Sequence, residues 1–217
     1  MSNRIALFAE KEDIEKFFQF HTDRESIFEP HYNIAPAQHI AVISKDDGST
    51  DIGRARWGLG NEDEKELKHN IGIEEASQGI EKGVFSRCIV PVSGYYKWKN
   101  VGKRANNPFF IRMIEEPIMA LCGILQTKSA DDSRELRSCA IINTEANALV
   151  QPLDPEMPLQ LDRELSLKWL DEKTDHKKVI EDAKKLFLLT DMSAMRVSAK
   201  VNDLSVNSPK LIQPLPK

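Results

Sequence analysis

Apolar runs of four to eight residues recur along this 217-residue chain without alternating regularly with helical segments, which narrows the folds open to it. The runs are Ile5–Phe8, Ile40–Ile43, Arg87–Pro91, Phe109–Met113, Ile118–Leu125 and Ser138–Ile142, and their length and β-branched content suit strands. Helical periodicity appears elsewhere. Lys11–Phe20 gathers Ile14, Phe17 and Phe18 on one face, and Asp162–Leu170 carries Leu165, Leu167, Trp169 and Leu170 between charges. Lys177–Leu189 sets Val179, Ile180, Ala183, Leu186 and Phe187 at helical spacing. A parallel βαβ fold needs regular strand–helix alternation, which is absent. The expectation is therefore an α+β fold, one domain over residues 1–217, with a mainly antiparallel β-barrel-like core and peripheral helices. Asn61–Lys68 and Lys128–Arg134 read as solvated loops, and the tail from Asn207 as extended and punctuated by proline.

Composition adds few constraints. Hydrophobic residues make up 41% and charged residues 29%, as in an ordinary soluble domain. The net charge of −4 argues against a dedicated nucleic-acid binder, which usually carries a basic excess, while leaving room for a local basic groove. Cys88, Cys122 and Cys139 are odd in number and form no C-x-x-C, so they read as reduced thiols of a cytoplasmic protein, with Cys122 and Cys139 buried in strands. The start, MSNRIALFAEKED, holds an apolar stretch of five residues, too short for a signal peptide. The eight-residue run Ile118–Leu125, interrupted by Gly123, falls short of a membrane span. No phosphate-binding glycine motif, zinc helix motif or nucleophile elbow occurs. His21, His31, His39, His69 and His176 are not paired at metal-ligand spacing, so neither a metal nor a cofactor is expected.

Several short strings, in one order, carry more information. They are Tyr32-Asn33-Ile34-Ala35-Pro36-Ala37-Gln38, Arg56-Trp57-Gly58-Leu59, Arg87-Cys88-Ile89-Val90-Pro91 and Gly94-Tyr95-Tyr96-Lys97-Trp98-Lys99. Pro108-Phe109-Phe110, Ala120-Leu121-Cys122-Gly123-Ile124, Thr144-Glu145-Ala146-Asn147, Met157-Pro158, Val197-Ser198 and Val201-Asn202 continue the series. Together they resemble the SRAP (SOS-response-associated peptidase) family over about residues 1 to 202. The resemblance implies an α+β domain around a β-barrel-like core that binds single-stranded DNA at abasic sites. It also implies an N-terminal Cys, exposed by removal of Met, whose amine and thiol condense with the sugar aldehyde into a thiazolidine. An Asn, a Glu and a His line that site in the family.

Carried over residue by residue, the resemblance places Ser2 at the nucleophilic Cys, and a hydroxyl closes a ring on an imine far less readily than a thiolate. The α-amine of Ser2 remains able to form a Schiff base. Asn70 matches the site Asn, with Gly72 where the family has Arg. Lys97 stands at the catalytic Glu, Asp154 at the catalytic His and Glu156 at the following Arg. Cation and anion have thus changed places, and Lys97 and Asp154 are expected to face each other as an ion pair. Such a pair either fills a site that no longer runs the acid–base step, or sets Lys97 beside the α-amine so that imine chemistry is favoured. Arg4, Asn33, Trp57, Arg87, Trp98 and Lys99 are the candidate DNA contacts, with Lys103 and Arg104 as further cations. On strand logic, Lys97-Trp98-Lys99 also reads as a buried Trp between solvated lysines. Three functions stay open: a crosslink-deficient binder of single-stranded or abasic DNA, an amine-based lyase using Ser2 or Lys97, and an interaction module for a protein or small-molecule partner.

Overall fold

In the computed structural model, residues 4–46, 48–60, 67–101, 105–129, 135–186 and 191–215 are described. The chain opens with β1 (Ile5–Leu7), α1 (Lys11–Phe18), β2 (His31–Ile34), β3 (His39–Asp46) and β4 (Ser49–Trp57). Next come β5 (Asn70–Gly72), α2 (Ile73–Glu81), β6 (Ser86–Val92), β7 (Gly94–Val101), β8 (Ala105–Met113) and β9 (Met119–Ser129). The last third holds β10 (Glu135–Glu145), β11 (Glu156–Pro158), β12 (Gln160–Leu161), α3 (Arg163–Leu170), α4 (His176–Leu186) and β13 (Met192–Arg196).

Five of these strands close a barrel. Antiparallel pairings run β4–β3–β6–β9–β10, and a short parallel pairing of β10 with β4, Ser138 to Arg56 and Cys139 to Trp57, completes the ring. Closure removes the free edges an open sheet would present. β5 and β11 add to β10, and β12 adds to β9. A second, antiparallel sheet in the order β13-β8-β7-β1-β2 packs against the barrel. The α+β fold with a mainly antiparallel barrel core and peripheral helices is the architecture expected from the sequence.

Local chemistry explains the joints. Gly48, at φ +83°, turns β3 into β4 in the left-handed region that two-residue hairpins demand. α1 buries Ile14 and Phe18 and stops one turn earlier than the periodicity suggests, because Gln19 adopts φ 58°. α3 starts where the Asp162 carboxylate accepts the Leu165 N–H at 2.7 Å. It buries Trp169, whose Nε1 donates to the carbonyls of Cys88 (2.9 Å) and Gly123 (3.2 Å), which pins the helix to β6 and β9. Gly94 is required by close approach: a Cβ there would lie 2.4 Å from the Phe110 ring and 2.5 Å from the Ile111 carbonyl on β8.

Two expectations are corrected. The tail is not simply extended. Short 3₁₀ turns at Ala199–Asn202 and Pro209–Ile212 fold it over the outer face of the second sheet, where Val201 and Leu211 join Tyr96 and Phe110 in a separate apolar cluster. The stretch Lys128–Arg134 is not all loop, since Lys128 and Ser129 end β9 and pair with β10; residues 130–134 lie outside the described residues. Lys68 bridges to Leu59, and residues 61–66 also lie outside the described residues.

Candidate active site

β7 lies between β1 and β8, so both of its faces are covered. Its pleat turns Tyr95 and Lys97 one way, toward the main core, and Tyr96 and Trp98 the other way, toward the cluster under the C-terminal segment. The expectation of a buried Trp98 between solvated lysines is thereby corrected. Lys97 is 1% exposed, while Trp98 is half-buried and donates from Nε1 to Asn202 Oδ1 at 2.9 Å. Lys99 is exposed.

A lone buried ammonium is too costly to persist, so Lys97 must be partnered. Its Nζ donates to the Glu156 carbonyl at 2.5 Å and stands 3.1 Å from Asp154 Oδ2. The turn before β11 delivers that carboxylate. Asn147 Oδ1 accepts the N–H groups of Leu149 and Val150, and the buried Val150 accepts the Asp154 N–H through its carbonyl. The Glu156 N–H then donates to Asp154 Oδ1 at 2.9 Å, which fixes the carboxylate's orientation. Burial lowers the pKa of Lys97, with Asp154 opposing the shift. For Asp154, burial raises the pKa, but the hydrogen bonds it accepts and the Lys97 charge outweigh it and hold the carboxyl below its ordinary value.

Asn70 stands on β5 opposite Ile141 of β10, in the same parallel ladder that sets Gly72 opposite Asn143. Asn70 and Asn143 therefore share one face of neighbouring strands. Asn143 Nδ2 donates to Glu156 Oε2 at 3.2 Å, so β11 links this face to the Lys97–Asp154 pair. A Cβ on Gly72 would meet nothing within 4 Å, which leaves open space where a side chain would project. Asn143, and the phenol of Tyr95 that burial and then Asp154 push upward in pKa, are members of the site that the sequence reading passed over. Asn143 was visible as a polar break ending the apolar run of β10.

The remaining candidates are dispersed, and three are corrected. Asn33 is fully buried, with Nδ2 donating to the carbonyls of Asp203 (2.9 Å) and Val206 (3.1 Å); it holds down the C-terminal segment. Trp57 is fully buried inside the barrel, its Nε1 donating to the His69 carbonyl at 2.8 Å. Arg87 donates to the carbonyls of Thr174 (3.0 Å) and Asp171 (2.6 Å) and lies over the Trp169 ring, tying down the loop after α3. Internal bonds engage all three, so none offers its polar group to DNA. Arg4 is half-buried, and its carbonyl accepts the Tyr96 N–H. Ser2, Lys103 and Arg104 lie outside the described residues.

Among the described residues no three His, Cys, Asp or Glu side chains are grouped to hold a metal ion, and no helix is long and apolar enough to cross a membrane. All three cysteines are free and buried; burial pushes the Cys88 thiol up to about 12 and those of Cys122 and Cys139 well above their ordinary value. Because the thiolate is the reactive form, the native protein is expected to resist a thiol-titrating disulfide reagent and to release three equivalents only in denaturant. Fast native labelling would contradict this packing.

A barrel whose β7, β10 and β11 converge on one polar cluster defines a family, and the comparison with known proteins agrees. The model of the SOS response associated peptidase (SRAP) family matches residues 1–204, and the chain belongs to that family. It is similar to the abasic site processing protein YoqW of Bacillus subtilis, with 31% identity over 98% of this chain and 99% of that protein. Abasic site processing protein YoaM of the same organism is 29% identical over 98% of this chain and 97% of its own length. A crystal structure of a protein from Bacteroides thetaiotaomicron shares the fold, at TM-score 0.80 and 22% identity, covering 98% of this chain and 99% of that one.

Proposed function

We propose that this protein is an abasic-site-processing SRAP protein that binds single-stranded DNA but has lost the thiazolidine crosslink and the self-peptidase step. The observation that carries this reading is the Lys97–Asp154 contact at 3.1 Å, formed by the two residues that stand at the family's acid–base positions. A general base must hold a free lone pair near its substrate. Lys97 instead donates to a carbonyl and a carboxylate from a nearly inaccessible position. Trp98 and Lys99 on β7, half-buried and exposed, remain as base and phosphate contacts, and Arg4 is the neighbouring cation.

The test uses single-stranded DNA with one abasic site, incubated with the protein with and without borohydride and resolved on a denaturing gel. Fluorescence anisotropy at several salt concentrations runs in parallel. No covalent band in either lane, together with binding that weakens as salt rises, is the expected result. A band only after reduction would replace this reading with imine chemistry at Lys97 or the terminal amine. A band without reduction would show that ring closure survives on Ser2. Absence of salt-dependent binding would remove DNA and leave an interaction module.

A further inference from the structure

A second concavity lies away from the Lys97 cluster. It is a groove of about 560 Å³ between α1, the β8–β9 connection and the start of α3, within the size range of small-molecule sites. Its floor is apolar: Ile118 and Met119 at the start of β9 are each 2% exposed, with Met113 at the end of β8 beside them. Methionine side chains adapt to irregular flat ligands at little cost.

The groove also holds a buried polar group with an unmet bond. Gln160 on β12 lines it and is 1% exposed. Its Nε2 donates only to the Met192 thioether, at 3.6 Å, and its Oε1 has no hydrogen-bond partner among the described residues. A buried amide oxygen left in this state calls for a donor. The rim charge is lopsided. Asp13, Glu116 and Asp191 are exposed carboxylates, whereas the Arg163 guanidinium is engaged with the Lys16 carbonyl at 2.9 Å and Asp162 caps α3. Lys16 is the counter-charge that remains.

We propose that this groove binds a small organic cation: a flat apolar ring bearing an N–H or O–H at one end and an alkylammonium at the other. The ring lies on Met113 and Met119, its polar hydrogen is donated to Gln160, and the ammonium sits among Asp13, Glu116 and Asp191. Anionic ligands, nucleic acid included, are repelled by the same rim. The site is independent of the DNA reading, since it shares no side chain with the Lys97–Asp154 pair.

Tryptamine has this outline and serves as the probe, titrated calorimetrically into the full-length protein. Indole-3-propionate keeps the ring but reverses the charge, and 1-methyltryptamine keeps the charge but removes the ring N–H. Tryptamine is expected to saturate, with the carboxylate analogue about tenfold weaker or worse and the N-methyl analogue weaker by about fivefold. The double variant Asp13→Asn, Glu116→Gln changes only exposed side chains, leaves the fold untouched, and is expected to weaken tryptamine by about tenfold. Equal affinity for ammonium and carboxylate would overturn the proposal. So would indifference to the double variant, or no saturation at millimolar tryptamine.

Discussion

Asp154→Ala is expected to lower the melting temperature by about 6–12 °C, corresponding to about 3 kcal/mol at about 2–4 °C per kcal/mol for a chain of this length. The loss comes less from the missing attraction than from what remains: an ammonium, 1% exposed, whose only other hydrogen bond goes to the Glu156 carbonyl. Replacing both partners, Lys97→Met with Asp154→Leu, is expected to return the protein to within about 1 kcal/mol of its original stability, because the double change also removes the desolvation cost. Thermal melts of the two single variants and the double variant measure the coupling directly. Additive single losses would show that the two side chains do not act as a pair.

The pair also sets a pH dependence. The Asp154 carboxyl is held below its ordinary value, so its contribution is complete above an unfolded pKa of about 3.9 and is lost as pH falls through the folded value. Lys97 is shifted down, so the unfolded chain binds that proton more readily, and stability from this group rises with pH between the folded value and about 10.4. In Asp154→Asn, the acid-side loss is expected to flatten. An unchanged acid limb would mean that other carboxylates dominate there.

Trp57→Ala carries the second large effect. Trp57 is fully buried, pairs with Cys139 where the barrel closes, and meets His69 edge-on at 5.7 Å while bonding its carbonyl. Emptying that volume is expected to cost about 3–5 kcal/mol, or roughly 10 °C in melting temperature. Trp57→Phe keeps most of the volume and loses the bond to His69, and is expected to cost about 1–3 kcal/mol. DNA affinity per folded molecule is expected to stay the same in both variants. A selective loss of affinity at unchanged stability would return Trp57 to the DNA surface.

Why the sequence assigned that tryptophan to DNA is instructive. Apolar runs located β1, β3, β6, β8, β9 and β10 because these strands are covered on both faces and tolerate little charge. β4 escaped notice because Asp51, Gly53, Arg54 and Arg56 dilute its pattern. α2 escaped because it is short and contains Gly79, which is needed where Phe85 packs onto the helix: a Cβ there would lie 2.1 Å from that ring. At the site, motif order was enough to set Lys97 against Asp154. It could not show that Asn33, Trp57 and Arg87 turn inward. Alternation distinguishes two faces of a strand, but not which face meets water when a second layer covers each. Lys97 illustrates the same limit, since nothing local marks a lysine as buried when its partner lies 57 positions away.

The parallel contact that closes the barrel has a kinetic meaning. β4 ends at Trp57, and its partner on β10 is Cys139, so the ring cannot shut until most of the chain exists. Contacts between such distant segments form late, because the loop-closure entropy is met before any contact offsets it. On the ribosome, a chain that has reached β9 but not β10 holds two open strand edges, on β4 and on β9, each able to pair with another nascent copy. Variants that weaken β10 are therefore expected to show themselves first as reduced soluble yield during synthesis, well before they register as a lower melting point of the finished protein.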